Sequence, residues 1–191
     1  MRRDLLEGLP SAHGGAERRG PGNLGSRILK VDHAGEFGAI AIYTGQIWMA
    51  CIRARDLVPE LVEFRSHERG HRAIFAAELQ RRGMPRCRSY VLCGAGGFVL
   101  GILTGLAGRS AISATTVAVE SVVLRHLEEQ LESLRGVDEA AVAAISSIVA
   151  EEREHHDRSS AKIPATSFWH RSLRPIVERA TEAVIWLGMR L

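Results

Sequence analysis

The sequence predicts an all-α protein: a four-helix bundle with two additional helices, built from a two-fold internal repeat. Three observations carry this. Apolar residues recur at i, i+3 and i+4 through most of the chain. No stretch alternates convincingly with a period of two, so strands are not expected. Residues also recur at a displacement of 84: Glu36, Glu68 and His71 return as Glu120, Glu152 and His155, Gln46 as Gln130, and Arg69 as Arg153.

The elements follow in order. A first helix is expected over 26–53, beginning near Ser26 as N-cap and carrying Glu36 in the stripe Leu29, Glu36, Tyr43, Ile47. A second, over 56–82, carries Glu68 and His71 in the stripe Leu57, Leu61, Phe64, Glu68, His71, Phe75, Leu79 and stops at Gly83-Met84-Pro85. The third spans 89–107. The fourth, over 111–135, places Glu120 among Val117, Leu124, Leu127 and Leu131, and Gly136 ends it. The fifth, over 138–161, starts on Asp138 and carries Val142, Ile145, Ile148, Glu152, His155 and Ser159, with Pro164 beyond it. A last helix is expected over 171–189.

At 191 residues and 46% hydrophobic, the chain can bury one sizeable core, assigned to a single domain over 26–191. Residues 1–25, rich in Gly, Pro and Arg, read as a flexible tail without the apolar run of a secretory signal; Asp4, Glu7 and Glu17 also argue against a transit peptide. The net charge is +3, yet only Lys30 and Lys162 are lysines and no basic run is interleaved with aromatics, which argues against a nucleic-acid partner. Cys51, Cys87 and Cys93 form no Cys-x-x-Cys pair, consistent with a reducing compartment and no attached zinc or rubredoxin-like module.

Each half of the chain thus supplies one lone Glu and, 32 residues later, a Glu-x-x-His. Four glutamates and two histidines in this pattern are the ligand set of a carboxylate-bridged di-iron or di-manganese site in a helical bundle. Charge explains the residue types. Four carboxylates neutralise two divalent ions, the imidazoles add nothing, and a neutral cluster tolerates a low-dielectric core. Glu and His at i and i+3 share one helix face and so reach one metal. Imidazole and carboxylate suit iron and manganese, where thiolates would favour zinc or iron–sulfur clusters.

The segment Ser89–Gly108 carries no charge. Its length would span a bilayer, but its six glycines and its place between two metal-bearing helices favour a helix lying in the membrane interface or covering an apolar substrate channel. The alternative is a crossover helix inside a soluble core. Trp186, Leu187 and Arg190 add a further interface anchor near the C-terminus.

The runs RILKVDHAGEFGAIAIYTGQ, HERGH, TVAVESVVLRHLEEQL and EEREHHD resemble the demethoxyubiquinone hydroxylase family of ubiquinone biosynthesis, ferritin-like di-iron monooxygenases. The similarity covers Ser26 to Leu191, with DHAGE and the EHHD ending its specific parts. Carried over by position, the family's iron ligands fall on Glu36, Glu68, His71, Glu120, Glu152 and His155. The resemblance implies two iron ions per chain and a ferritin-like, membrane-peripheral fold. It implies O2-dependent hydroxylation of a polyprenyl methoxy-benzoquinol (demethoxyubiquinol), on the cytoplasmic face of a bacterial inner membrane or the matrix side of the mitochondrial one. The electron donor is left open, as are a homo-oligomer and an accessory lipid-binding partner. Where some members have His-Tyr, this chain has His126-Leu127, which withdraws any phenol role there.

Other candidates surround the six. Tyr43 lies seven residues after Glu36 on the same face and offers either a phenol near the cluster or a core aromatic. His126 is a candidate for a substrate or proton role. Asp32, one turn before Glu36, is a candidate to hydrogen-bond the free nitrogen of a ligand histidine; Asp157 and His156 are candidates for a similar role or for the surface. His13, His33, His67 and His170 receive no partner. Two competing functions stay open: a di-iron quinol oxidase that reduces O2 to water, and a ferritin- or rubrerythrin-like iron-handling protein.

Overall fold

Four helices each bury an apolar stripe broken by one carboxylate, and packing those stripes together organises the molecule. The computed structural model describes residues 24–164 and 168–191. Among them the helices are α1 (Leu24–Arg53), α2 (Val58–Arg81), α3 (Tyr90–Ala107), α4 (Arg109–Leu134), α5 (Glu139–Ser146), α6 (Val149–Ser160) and α7 (Phe168–Gly188), with one 3-10 turn at Arg55–Leu57 and no strand. The bundle comprises α1, α2, α4 and the α5–α6 pair, and α3 and α7 are the two additions. Most of the expected tail, residues 1–23, and His13 with it, lies outside the described residues.

The first four helices and the last begin and end within three residues of the expected bounds. Ser26 is not the N-cap: α1 already starts at Leu24, and the Ser26 hydroxyl instead accepts from Arg82. Asp138 does cap α5, accepting from the Ala141 amide at 3.2 Å, and Arg82 binds both its oxygens at 2.7 and 2.9 Å. The expected fifth helix is two. At the Ser146-Ser147 pair the Ser147 hydroxyl donates to the Ala144 carbonyl at 2.7 Å, and the Ile148 amide reaches only to Ile145, a tightened turn that breaks the α-helical ladder.

Two apolar layers sandwich one polar layer. Ile28, Leu29, Phe75, Leu79, Leu127, Leu134, Ile145 and Ile148 fill one end, and Tyr43, Ile47, Leu57, Leu61, Phe64 and Ile112 fill the other. Each such Leu, Ile or Phe contributes about 1.5–3 kcal/mol by leaving water. Along α1, α2 and α4 the glutamates fall between the two layers, so the apolar ends position the polar middle.

The uncharged third helix packs along α1 by a glycine seam. A Cβ at Gly97 would overlap the Gly38 carbonyl and one at Gly101 the Ile42 carbonyl, while a Cβ at Gly45 would sit 2.7 Å from the Phe98 carbonyl. Its glycines thus permit backbone contact. Its other face leaves Val91, Leu92, Val99, Leu103 and Leu106 exposed. That face is not buried by the described residues. Only Gly108, at φ 94°, separates α3 from α4, a left-handed corner that suits glycine.

Candidate metal centre

The i, i+3 spacing places Glu68 and His71 on the inward face of α2, and Glu152 and His155 on that of α6. Glu36 from α1 and Glu120 from α4 complete the set, and all six are at most 7% exposed. Two groupings bring candidate ligand atoms within 4.8 Å of one another: Glu36, Glu68, His71 and Glu152, and Glu68, Glu120, Glu152 and His155. Adding 84 to the first three members of one grouping gives three members of the other, and Glu68 and Glu152 belong to both. The structure therefore brings together all six residues selected by spacing.

Each imidazole turns Nδ1 inward. His71 Nδ1 lies 2.9 Å from Glu152 Oε1, 3.7 Å from Glu68 and 3.8 Å from Glu36; His155 Nδ1 lies 3.1 Å from Glu68 Oε1 and 3.8 Å from Glu152. Both Nδ1 atoms and Glu68 Oε1 are shut away from solvent with no aligned hydrogen-bond partner among the described residues. Among the described residues no lysine or arginine pairs with any of the four glutamates. Uncompensated carboxylates in a core cost several kcal/mol each, so this layer is not there for stability. Orphaned donor atoms and a four-carboxylate, two-imidazole set fit two divalent cations.

The electrostatics agree. Burial, then the charges of Glu152 and Glu68, pushes Glu120 well above the usual carboxylate range. Burial likewise holds Glu36 well above it, against the His71 contact. Burial works to lower His71, but Glu152, Glu36 and Glu68 outweigh it and hold the ring above the ordinary imidazole range. Tyr43 donates to Glu120 Oε1 at 3.2 Å, which ties the phenol to the cluster; burial and that carboxylate raise the phenol's pKa.

The outward nitrogens find partners that sequence reasoning did not assign. His71 Nε2 meets Glu151 Oε2 at 2.8 Å, and His155 Nε2 meets His67 Nδ1 at 3.0 Å. His67 and Glu151 are themselves 84 apart, each just before a cluster glutamate, so the displacement was the signal that could have found them. The structure does not bring Asp32 or Asp157 to a ligand imidazole. Asp32 accepts from Gln130 Nε2 at 3.0 Å, and exposed Asp157 contacts His156 at 2.9 Å. His126 meets Glu182 on α7 at 2.9 Å.

A cavity of about 320 Å³ ends on Glu36, Glu68, Glu120 and Glu152 and runs between α1, α3, α4 and α7. Val31, Ile42, Leu100, Val119, Val184 and Ile185 give it an apolar wall, and its size admits a single substituted ring. The third helix covers it through Leu92, Gly96 and Leu100.

Helices of this arrangement define a ferritin-like bundle whose buried carboxylate–imidazole layer could hold metal. The family model described as "Ubiquinone biosynthesis protein COQ7" matches residues 23–188, and the chain belongs to that family. It is 33% identical over 175 residues to the NADPH-dependent 3-demethoxyubiquinone 3-hydroxylase, mitochondrial, of Dictyostelium discoideum, covering 86% of this chain and 76% of the relative. To the 3-demethoxyubiquinol 3-hydroxylase of Rhodospirillum rubrum it is 33% identical over 190 residues, covering 98% and 84%. The Homo sapiens NADPH-dependent relative is 31% identical over 169 residues, covering 86% and 77%.

Proposed function

We propose that this chain is a di-iron monooxygenase that hydroxylates the ring of 3-demethoxyubiquinol with O2. The observation that carries the reading is the apolar cavity ending on all four glutamates, in a chain of this family. Glu36, Glu68, His71, Glu120, Glu152 and His155 would hold the two irons, with Glu68 and Glu152 the residues common to both groupings. Two irons held there would supply the chemistry that reduces O2 and delivers one oxygen atom to carbon. In balance, a ring C–H and O2 give a ring C–OH and water, with two electrons and two protons from a reductant; the eukaryotic relatives are named NADPH-dependent.

The protein's own residues orient and insulate. Glu151 and His67 hold the proton at Nε2 of each imidazole, which leaves the Nδ1 lone pair facing the cluster. The Tyr43 hydroxyl restrains Glu120. The apolar wall excludes water and holds the ring beside the carboxylates. The exposed apolar face of α3, with Trp48 beside it on α1, seats the protein peripherally on a membrane, the phase that holds a polyprenyl quinol. For a bacterial chain this is the cytoplasmic face of the inner membrane.

Mass spectrometry of a short-chain demethoxyquinol, after the iron-loaded, reduced protein meets isotopically labelled O2, tests the reading. One labelled oxygen in the ring is expected. Oxygen consumption with only unlabelled quinone formed would replace it with a quinol oxidase, and no turnover would return attention to iron handling.

A further inference from the structure

Beyond the four glutamates, four side chains with nitrogen or oxygen line the cavity among the described residues: Asp32, His126, Gln130 and Thr181. Two are satisfied. His126 Nε2 meets Glu182 at 2.9 Å, and the Thr181 hydroxyl donates to the Val177 carbonyl at 2.9 Å. The other two are not. Gln130 Nε2 donates to Asp32 Oδ1 at 3.0 Å, which fixes the amide so that its oxygen is the spare atom. Gln130 Oε1 and Asp32 Oδ2 are shielded from solvent and have no hydrogen-bond partner among the described residues. Buried acceptors without a donor are costly, so two of them on hydrogen-bonded side chains that line one cavity suit an incoming donor.

Position says which donor. Asp32 stands one helical turn before Glu36 on α1, an axial rise of about 6 Å, and both line the cavity. That separation is about the length of a benzoquinol ring between its para oxygens. A quinol has hydroxyl donors at those oxygens; the corresponding quinone has only acceptors. Resting on the hydroxylase reading above, we infer that Asp32 and Gln130 are positioning residues that accept a hydrogen bond from a phenolic hydroxyl and so select the reduced quinol over the quinone. An acceptor pair meets a quinone carbonyl with repulsion, which supplies the discrimination. Burial, opposed by the Gln130 hydrogen bond, raises the Asp32 carboxyl to about 7, so the carboxylate form is accessible near neutral pH.

The test is anaerobic equilibrium binding of a short-chain demethoxyubiquinol and, separately, its quinone to the full-length, metal-containing protein. Wild type is expected to bind the quinol at least tenfold more tightly. Asp32→Ala and Gln130→Met should bring the two affinities within about twofold, at unchanged metal content and helicity. Asp32→Asn, which turns a spare acceptor into an amide donor, should shift preference toward the quinone, an effect that loss of packing would not produce. Equal wild-type affinities, or a preference retained in both Asp32→Ala and Gln130→Met, would overturn the assignment while leaving the hydroxylase reading in place. Failure of wild type to bind either form would remove both.

Discussion

His71 Nε2 lies 2.8 Å from Glu151 Oε2, so a histidine from the first half of the chain is oriented by a carboxylate from the second. His155 and His67 repeat the contact in the opposite sense at 3.0 Å. Removing an orienting partner of a metal-binding histidine lowers affinity by about 10–100-fold. Glu151→Gln and His67→Ala are therefore each expected to weaken one of the two metal sites by about that factor, read by chelator competition. Unchanged affinity in both variants would show that the outward contacts orient nothing.

Metal loading should release protons. In the cation-free cluster burial raises Glu36 and Glu120, and the surrounding carboxylates raise His71, so all three favour their protonated forms. A metal ligand must shed its proton, and apparent affinity should therefore rise with pH. Titration with ferrous ion under nitrogen from about pH 6 to about pH 8 reads the slope, while calorimetry in buffers of different ionisation enthalpy reads the proton count. A flat profile with no buffer dependence would contradict the protonated cluster.

Asp32 makes stability depend on pH in a defined direction. Burial, offset in part by Gln130, raises its folded pKa to about 7, against about 3.9 for an unperturbed aspartate in an unfolded chain. The folded state thus binds more protons through that window. Its contribution is fully present below about pH 4 and is lost as pH rises through about 7. The loss is on the order of 4 kcal/mol. Asp32→Asn should remove this dependence and raise the melting temperature above about pH 7, with little gain in acid. Parallel thermal melts of the two proteins across pH decide it.

The glycine seam predicts a contrast between two alanine substitutions. Gly101→Ala drives a methyl into the Ile42 carbonyl and should cost about 1–3 kcal/mol by forcing α3 away from α1. Gly70→Ala, on an exposed helical position with nothing within 4 Å, should stabilise by about 0.4–1 kcal/mol. Denaturant unfolding of both variants supplies the measurement.

Much of the bundle was legible because each core stripe is long and regular. The α2 stripe Leu61, Phe64, Glu68, His71, Phe75, Leu79 is the list of residues that helix buries. The six candidate ligands stood out because glutamate interrupts an apolar stripe at a fixed displacement. The break at Ser147 was not legible, since it depends on a serine rotamer competing for one carbonyl, a choice helical periodicity does not record. Asp32 was placed on the correct helix face and near the site, but its partner, Gln130, comes from 98 residues away on α4. Nor did any local pattern announce α7 as a cavity wall, because Val184 and Ile185 acquire that role only through packing.

Besides the hydrogen bond from Arg72 on α2 to the Tyr90 hydroxyl, the covering helix is fastened at two places, and they are not equivalent. Its glycines interlock with α1, the helix of Glu36, and the single residue Gly108 couples it to α4, the helix of Glu120. Glu36 and Glu120 are the two cluster carboxylates that belong to one grouping only, while the shared pair, Glu68 and Glu152, stands on α2 and α6. A load applied to the outer apolar face of α3 is thus borne by a yoke. Its two arms are the helices of the unshared carboxylates, so whatever medium that face rests against lies one helix away from half of the candidate ligands.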